Sequence, residues 1–301
     1  MTKEVQSKET ARRIERGISR MERDMPSLKS ILDPFREILV ARAILKESIV
    51  NPAKVRVPAP NPERFAEGRP LLTPRTISSL MYPWGDTVDQ TIPPLARAFP
   101  SIEPELMRLR EALQKGDVDL KKCVGALVGG KDKKLDAVAS DVGIQPVVLK
   151  FLLGQMLKPF VEKRAESLKP LIQDLPWHKG YCPICGAFPE LSFLTEKEGQ
   201  RWLRCSLCAY EWRFSRATCP FCHNEDPKTM EMNFVKGREH EWAELCHQCH
   251  RYIVNIDLRE SPGAVTTEVA ALGMVYLDIL AQGKGYLPMA VCAWNVVSEK
   301  D

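Results

Sequence analysis

The chain has 301 residues, of which 44% are hydrophobic, and a formal charge of +4. That supports a real core and suggests two domains, while so mild a basic excess gives no support for a strongly nucleic-acid-binding or membrane-surface protein. The count treats every cysteine as neutral; eight thiolates on two divalent ions would cancel the excess, and two ferric ions would leave part of it. No stretch reaches the roughly 18 apolar residues of a membrane span, and residues 1–24 are charged throughout, without the apolar stretch of a secretory signal. Ten cysteines in a chain read this way argue for a reducing compartment, where paired cysteines more often bind metal or do redox work than form structural disulfides.

The first half reads as helical. Residues 4–23 are charged and carry weak apolar periodicity. Residues 27–48 place Ile31, Leu32, Phe35, Ile38 and Leu39 at the i, i+3, i+4 spacing of an amphipathic helix. The proline-rich stretch Asn51 to Pro74 predicts an extended loop, and Tyr82-Pro-Trp-Gly-Asp86 a second break. Ser101 to Lys115 predicts a helix opened by Ser101, with Glu103 and Glu105 near its positive end. Gln145 to Gln173 predicts another, with Pro146 suited to its first turn and Pro159 and Pro170 able to kink or divide it. The apolar stripes read first as a helical core; nothing in this half marks the lining of a partner-binding groove.

After Trp177 the period changes. Alternating runs at 188–194, 200–204, 209–214, 229–235, 239–245 and 251–257 predict short strands in hairpins. Residues 266–282 return to a helical pattern through Val269, Leu272, Val275, Tyr276, Ile279 and Leu280. The fold class expected is α+β: a helical domain over 1–172, two four-cysteine modules over 173–214 and 215–262, and a C-terminal helix and tail over 263–301 packing on the preceding domains.

Between those strands lie four Cys-x-x-Cys pairs: Cys182/Cys185, Cys205/Cys208, Cys219/Cys222 and Cys246/Cys249. Each such turn puts two sulfurs on one side of a tight loop, and two turns on facing hairpins make a tetrahedral four-sulfur cage. Nineteen residues separate Cys185 from Cys205 and twenty-three separate Cys222 from Cys246, whereas ten separate Cys208 from Cys219 and read as the connection between modules. The modules form a faint repeat. Each opens with Cys-Pro-x-Cys, has a tryptophan (Trp202, Trp242) before its second pair and a tyrosine (Tyr210, Tyr252) after it. Units this small bury too little apolar surface to fold alone, so the ion would contribute directly to folding. The cage chemistry admits zinc or a single iron. The residues after each second cysteine, Gly186, Ala209, His223 and His250, do not decide which, and only the first is the glycine that suits a left-handed turn.

His223, His247 and His250 adjoin the cysteines and read as groups around the cages, since eight sulfurs already fill two tetrahedra. Cys123 and Cys292 stand alone and read as small buried apolar residues. The cages look closed, and neither a glycine-rich phosphate loop nor a Gly-x-Ser-x-Gly elbow nor a His-Glu-x-x-His helix occurs, so no catalytic residue is assigned.

Tyr181-Cys-Pro-Ile-Cys-Gly186, Arg201-Trp-Leu-Arg-Cys-Ser-Leu-Cys208, Glu211-Trp212, Arg216, Cys219-Pro-Phe-Cys222 and Ala243-Glu-Leu-Cys-His-Gln-Cys249 with Tyr252 closely resemble the bacterial formate dehydrogenase accessory protein family, FdhE. The resemblance is strong over 177–257 and fades into the helix around Leu277-Asp278; over 1–170 it is loose. It implies a helical region followed by two rubredoxin-like modules, iron as the metal, and the eight cysteines as its ligands. It also implies a cytoplasmic, non-enzymatic role: binding the catalytic subunit of formate dehydrogenase and assisting its maturation or activity. The family's acidic pair near the start of its last helix is replaced here by Thr266-Thr-Glu-Val-Ala-Ala-Leu, which extends the expected client to a related molybdenum or tungsten oxidoreductase. One competing reading is a zinc-ribbon nucleic-acid-binding protein using Arg201, Arg204, Arg213, Arg216 and Lys228 beside Trp202, Trp212 and Phe214, diluted by Glu196, Glu198, Glu211, Glu225 and Asp226. Another is an electron-transfer component.

Overall fold

The structure is a computed structural model that describes residues 3–49, 57, 59–78, 84–195, 198–260 and 266–295. Residues 51–56 and 58 of the expected loop, Tyr82 and Pro83 of the second break, Glu196, and the last residues of the expected tail lie outside the described residues. The chain folds as two units, one of 1–16, 27–58 and 72–167, the other of 17–26, 59–71 and 168–301. The second unit thus takes two segments from the half that reads as helical.

Among the described residues the regular structure of the first unit is all helical. It contains most of α1 (Lys3–Asp24), then α2 (Lys29–Ser48), α4 (Pro74–Ser78), α5 (Trp84–Ala98), α6 (Glu103–Lys115), α7 (Leu120–Val128), α8 (Asp132–Val142) and nearly all of α9 (Pro146–Leu168); the short α3 (Pro62–Ala66) belongs to the second unit. The α2 stripe is buried as the periodicity predicts, through Leu32, Phe35, Ile38 and Leu39. Phe99 joins α2 to α9 by edge-to-face contacts with Phe35 and Phe151, at centroid separations of 5.5 and 5.6 Å. Lys46 and Arg42 of α2 pair with Glu162 of α9.

Several details depart from the expectation. Ser101 lies in a 3-10 turn before α6, whose N-cap is Ile102 without a side-chain bond. That helix ends on Gly116 at φ +82°, the left-handed residue that lets Asp117 N–H reach the Ala112 carbonyl. The α9 helix runs unbroken through Pro159, and a 3-10 turn begins at Lys169. Helices α3, α4, α5, α7 and α8 have no counterpart in the sequence reading, and α3, capped by Asn61, lies inside the stretch expected to be an extended loop. Helix α5 carries Pro93 and Pro94, each expected to cost about 3 kcal/mol inside a helix. Burial of Ile92 and Leu95 to 1% exposure or less opposes that cost. Between α2, α5 and α9, beside Thr91 and Gln155, lies a cavity of about 10 Å³, room for a water rather than a ligand. No single described helix is long and apolar enough to cross a membrane; α8 and α9 pass such a test only together, across a 109° bend.

The second unit is built on one mixed sheet: β1 (Pro189–Thr195), β2 (Gln200–Cys205), β3 (Glu211–Arg213), β4 (Met230–Asn233), β5 (Glu241–Cys246), β6 (Arg251–Asp257) and the two-residue β7 (Leu287–Pro288). All six predicted strands are present. Their order is β3-β2-β1-β6-β5-β4, so the two modules are antiparallel meanders laid in tandem. Their joint is the parallel pairing of β1 with β6, Ser192 opposite Asn255 and Phe193 opposite Ile256. The core on one face comprises Leu191, Phe193, Ala243, Leu245, Tyr252, Val254 and Ile256, covered by α10 (Thr267–Gly273) and α11 (Val275–Gly283). The expected single helix over 266–282 is divided in two. A Cβ on Gly273, the last residue of α10, would meet the Met21 side chain, so glycine there allows the close approach.

Candidate metal centres

The four Cys-x-x-Cys turns share one local conformation. In each, the residue after the second cysteine donates its N–H to the first cysteine's carbonyl: Gly186 to Cys182 (2.9 Å), Ala209 to Cys205 (3.2 Å), His223 to Cys219 (2.9 Å) and His250 to Cys246 (2.9 Å). Closing that bond needs a left-handed residue. Gly186 has φ +76°, and Ala209, His223 and His250, with φ between 54° and 59°, are the non-glycine residues of positive φ among those described. Each of the three stores on the order of 1 kcal/mol of backbone strain relative to glycine. The turn therefore dictates the conformation whatever residue occupies it, which the residue types alone could not reveal.

The sheet then brings the turns together in pairs. Cys182, Cys185, Cys205 and Cys208 form one group and Cys219, Cys222, Cys246 and Cys249 another, all four sulfurs of each lying within 4.8 Å of one another. In the first, Cys182 Sγ is 3.5 Å from Cys208 Sγ and Cys185 Sγ 3.3 Å from Cys205 Sγ. In the second, Cys219 to Cys249 is 3.9 Å and Cys222 to Cys246 is 3.6 Å. Metal–sulfur bonds of about 2.3 Å in a regular tetrahedron require sulfur–sulfur edges of about 3.8 Å, close to what both groups present. Disulfides would need about 2.05 Å.

The electrostatics point the same way. Burial pushes the Cys182 and Cys208 thiols well above the ordinary range, and the Cys185 and Cys205 sulfurs add to it. Burial opposes ionisation of Cys205 too, but hydrogen bonds with Cys182, Cys185 and Cys208 outweigh it and hold that thiol well below. In the second group burial lifts Cys219, and lifts Cys249 to about 12. Four thiolates this close and this dry repel strongly, so a multivalent cation at their centre is what lets all four ionise. Backbone N–H groups also point at the sulfurs: Ile184 to Cys182 Sγ and Leu207 and Cys208 to Cys205 Sγ, each at 3.4 Å, the bonds that orient ligands and tune a metal–sulfur site.

The histidines lie outside both groups. His247 is engaged on both ring nitrogens, with Tyr286 Oη at 3.0 Å from Nδ1 and Glu231 at 3.2 Å from Nε2. His223 and His250 are exposed. Cys123 and Cys292 are buried, the latter 3.6 Å from Glu190 Oε2.

Two arginines read from the sequence as surface, and one glycine it left unread, are structural. Arg201 is 3% exposed and spans the modules: its guanidinium donates to Glu244 of β5 at 3.0 Å, to Ser192 Oγ at 2.8 Å, and to the carbonyls of Ser215, Arg216 and Thr218. Arg204 is likewise buried, between Glu190 and Glu211. The nucleic-acid reading needed both arginines at the surface. The glycine is Gly180, whose hydrogen faces the Pro220 carbonyl so closely that a Cβ would overlap it. It seats the start of the first module against the third turn.

Comparison with known proteins follows this geometry. Residues 181–216 match the family model described as "FdhE, central domain". A protein FdhE homolog from Aquifex aeolicus is 32% identical over 148 residues, 48% of this chain and 51% of that protein. One from Shewanella sp. (strain MR-4) is 34% identical over 132 residues, 42% of this chain and 40% of that protein. The chain thus spans about half the length, or less, of the curated relatives it matches. The crystal structure of the FdhE protein from Pseudomonas aeruginosa shares the fold, with a TM-score of 0.62 over 93% of each chain at 22% identity. The chain is thus similar to the FdhE central domain over residues 181–216 and to FdhE homologs over less than half of its own length, and it shares the fold of the Pseudomonas aeruginosa FdhE protein.

Proposed function

We propose that this protein is a cytoplasmic, non-enzymatic maturation factor that binds the catalytic subunit of a formate dehydrogenase, or of a related molybdenum or tungsten oxidoreductase, and assists its assembly or activation. The observation that carries the reading is the FdhE central domain at residues 181–216, read together with two sulfur cages joined in one sheet. Cys182, Cys185, Cys205 and Cys208 would hold one ion, and Cys219, Cys222, Cys246 and Cys249 a second, iron being favoured. The metals hold the modules in shape as a binding surface and, as iron, supply one-electron chemistry.

Two measurements test it. Tagged full-length chain recovered from its native cell should carry a molybdenum or tungsten oxidoreductase catalytic subunit, and a Cys205→Ser variant should lose it. Protein isolated without oxygen should hold two ions per chain, mostly iron. Recovery without any such subunit would overturn the role, and fewer than two ions would overturn the paired-cage reading.

A further inference from the structure

The repeat is nearly symmetric in sequence and sheet position, yet the two cages differ sharply in access. Around the first, none of the turn residues is exposed: Cys182 to Cys185 and Cys205 to Cys208 are buried or half-buried, with all four sulfur-bearing residues at 8% exposure or less. Part of the cover is a strap drawn from the distant segment 59–71. Leu71 N–H donates to the Pro183 carbonyl at 3.0 Å, Pro70 lies against Gly186, and Tyr181 Oη donates to the Gly68 carbonyl at 2.8 Å. At the second cage the segment 286–289 runs beside the fourth turn, with Leu287 N–H donating to the His250 carbonyl at 3.0 Å and Tyr286 against His247 and His250, yet the cover there is less complete. Cys222 and Cys249 are half-buried, and His223, His247, Gln248 and His250 beside them are all exposed. Where the first cage carries Gly186 and Ala209 after its second cysteines, the second carries two exposed imidazoles.

We propose that the second cage is a metal-exchange site, open to thiol-bearing ligands at its Cys222–Cys249 edge, whereas the first is a sealed structural site. This rests on the reading of both groups as metal cages. Exchange is a ligand substitution. An incoming thiol bonds to the ion through its sulfur, the Cys249 or Cys222 sulfur leaves, and the incoming thiol's proton ends on the departing cysteine; no electron changes hands. Such substitution is limited by approach to the ligand sulfurs, which burial beneath the strap hinders at the first cage and the half-burial of Cys222 and Cys249 permits at the second.

The test uses the full chain loaded with two zinc ions and challenged with the chromogenic chelator 4-(2-pyridylazo)resorcinol, with and without reduced glutathione. One ion should leave at least about tenfold faster than the other, as expected when local access differs this much. Glutathione should speed only the fast phase. Alkylating the one-ion intermediate with N-ethylmaleimide, followed by peptide mass spectrometry, should label Cys219, Cys222, Cys246 and Cys249 and spare the other four. Tyr181→Phe, which frees the strap from its Tyr181 bond, should speed the slow phase alone. Loss of both ions in one phase, a fast phase indifferent to glutathione, labelling of the first four cysteines, or a slow phase unmoved by Tyr181→Phe would each overturn the proposal. A chain that binds fewer than two zinc ions would instead overturn the cage reading beneath it.

Discussion

Replacing Arg201 by methionine should destabilise the second unit by about 3–5 kcal/mol, the usual cost of leaving one member of a buried ion pair alone. The magnitude follows from the surroundings. The Arg201 and Glu244 side chains are 2% and 11% exposed, so solvent cannot replace the lost cation. The Glu244 carboxylate would keep its charge without its 3.0 Å partner, and the carbonyls of Ser215, Arg216 and Thr218 would lose a donor they share. Methionine retains much of the arginine stem's volume, so the loss reads electrostatics rather than a cavity. The assay is urea unfolding of metal-loaded protein followed by far-ultraviolet circular dichroism, in a cycle of Arg201→Met, Glu244→Met and the double variant. Each single change should cost several kcal/mol and the double variant much less than their sum, because it leaves no unpaired charge. If Arg201→Met cost less than about 1 kcal/mol, the range of exposed pairs, the argument that this pair ties the modules in a dry interior would fail.

Three further outcomes follow from the same geometry. His250→Gly relieves a left-handed residue and should raise stability by up to about 1 kcal/mol, whereas Gly186→Val should cost about 1–2 kcal/mol, both read by chemical denaturation of the loaded protein. Gly180→Ala should drive its methyl group into the Pro220 carbonyl and weaken metal binding at the second cage more than at the first, seen by titrating zinc into variant and parent. Asp278, 2% exposed and accepting a 2.6 Å hydrogen bond from Tyr252 Oη, has its carboxyl pushed up by burial to about 7. The folded state then holds a proton that the unfolded state has released, so this residue's contribution to stability is full below about pH 4, falls as pH rises, and is lost above about 7. Asp278→Asn should remove that part of the slope in denaturation midpoints measured between pH 5 and 8; an unchanged slope would refute the assignment.

Much of this architecture is legible in the residues because the signals are local. The i, i+3, i+4 stripe of α2 is the one buried, and the alternating runs between cysteine pairs are the strands of the sheet. The signal failed where burial overrides local preference. Pro93 and Pro94 argue against the helix they occupy, and the pattern over 266–282 does not show the break after Gly273, nor that this glycine packs against Met21, some 250 residues away in sequence. Arg201 and Arg204 carry charge and so read as surface, but their partners Glu244, Glu190 and Glu211 come from other strands or from the far end of the same hairpin.

The order and spacing of the eight cysteines determined by themselves that two four-sulfur groups would form, since each Cys-x-x-Cys turn commits two sulfurs to one side of a short loop. Tertiary structure decided how the two groups differ. The parallel joint of β1 with β6, the strap from residues 68–71 and the exposure of Cys222 and Cys249 depend on segments far apart in the chain packing side by side. No local spacing encodes such packing, because it is set by the burial and hydrogen bonding of residues that meet only in the folded chain.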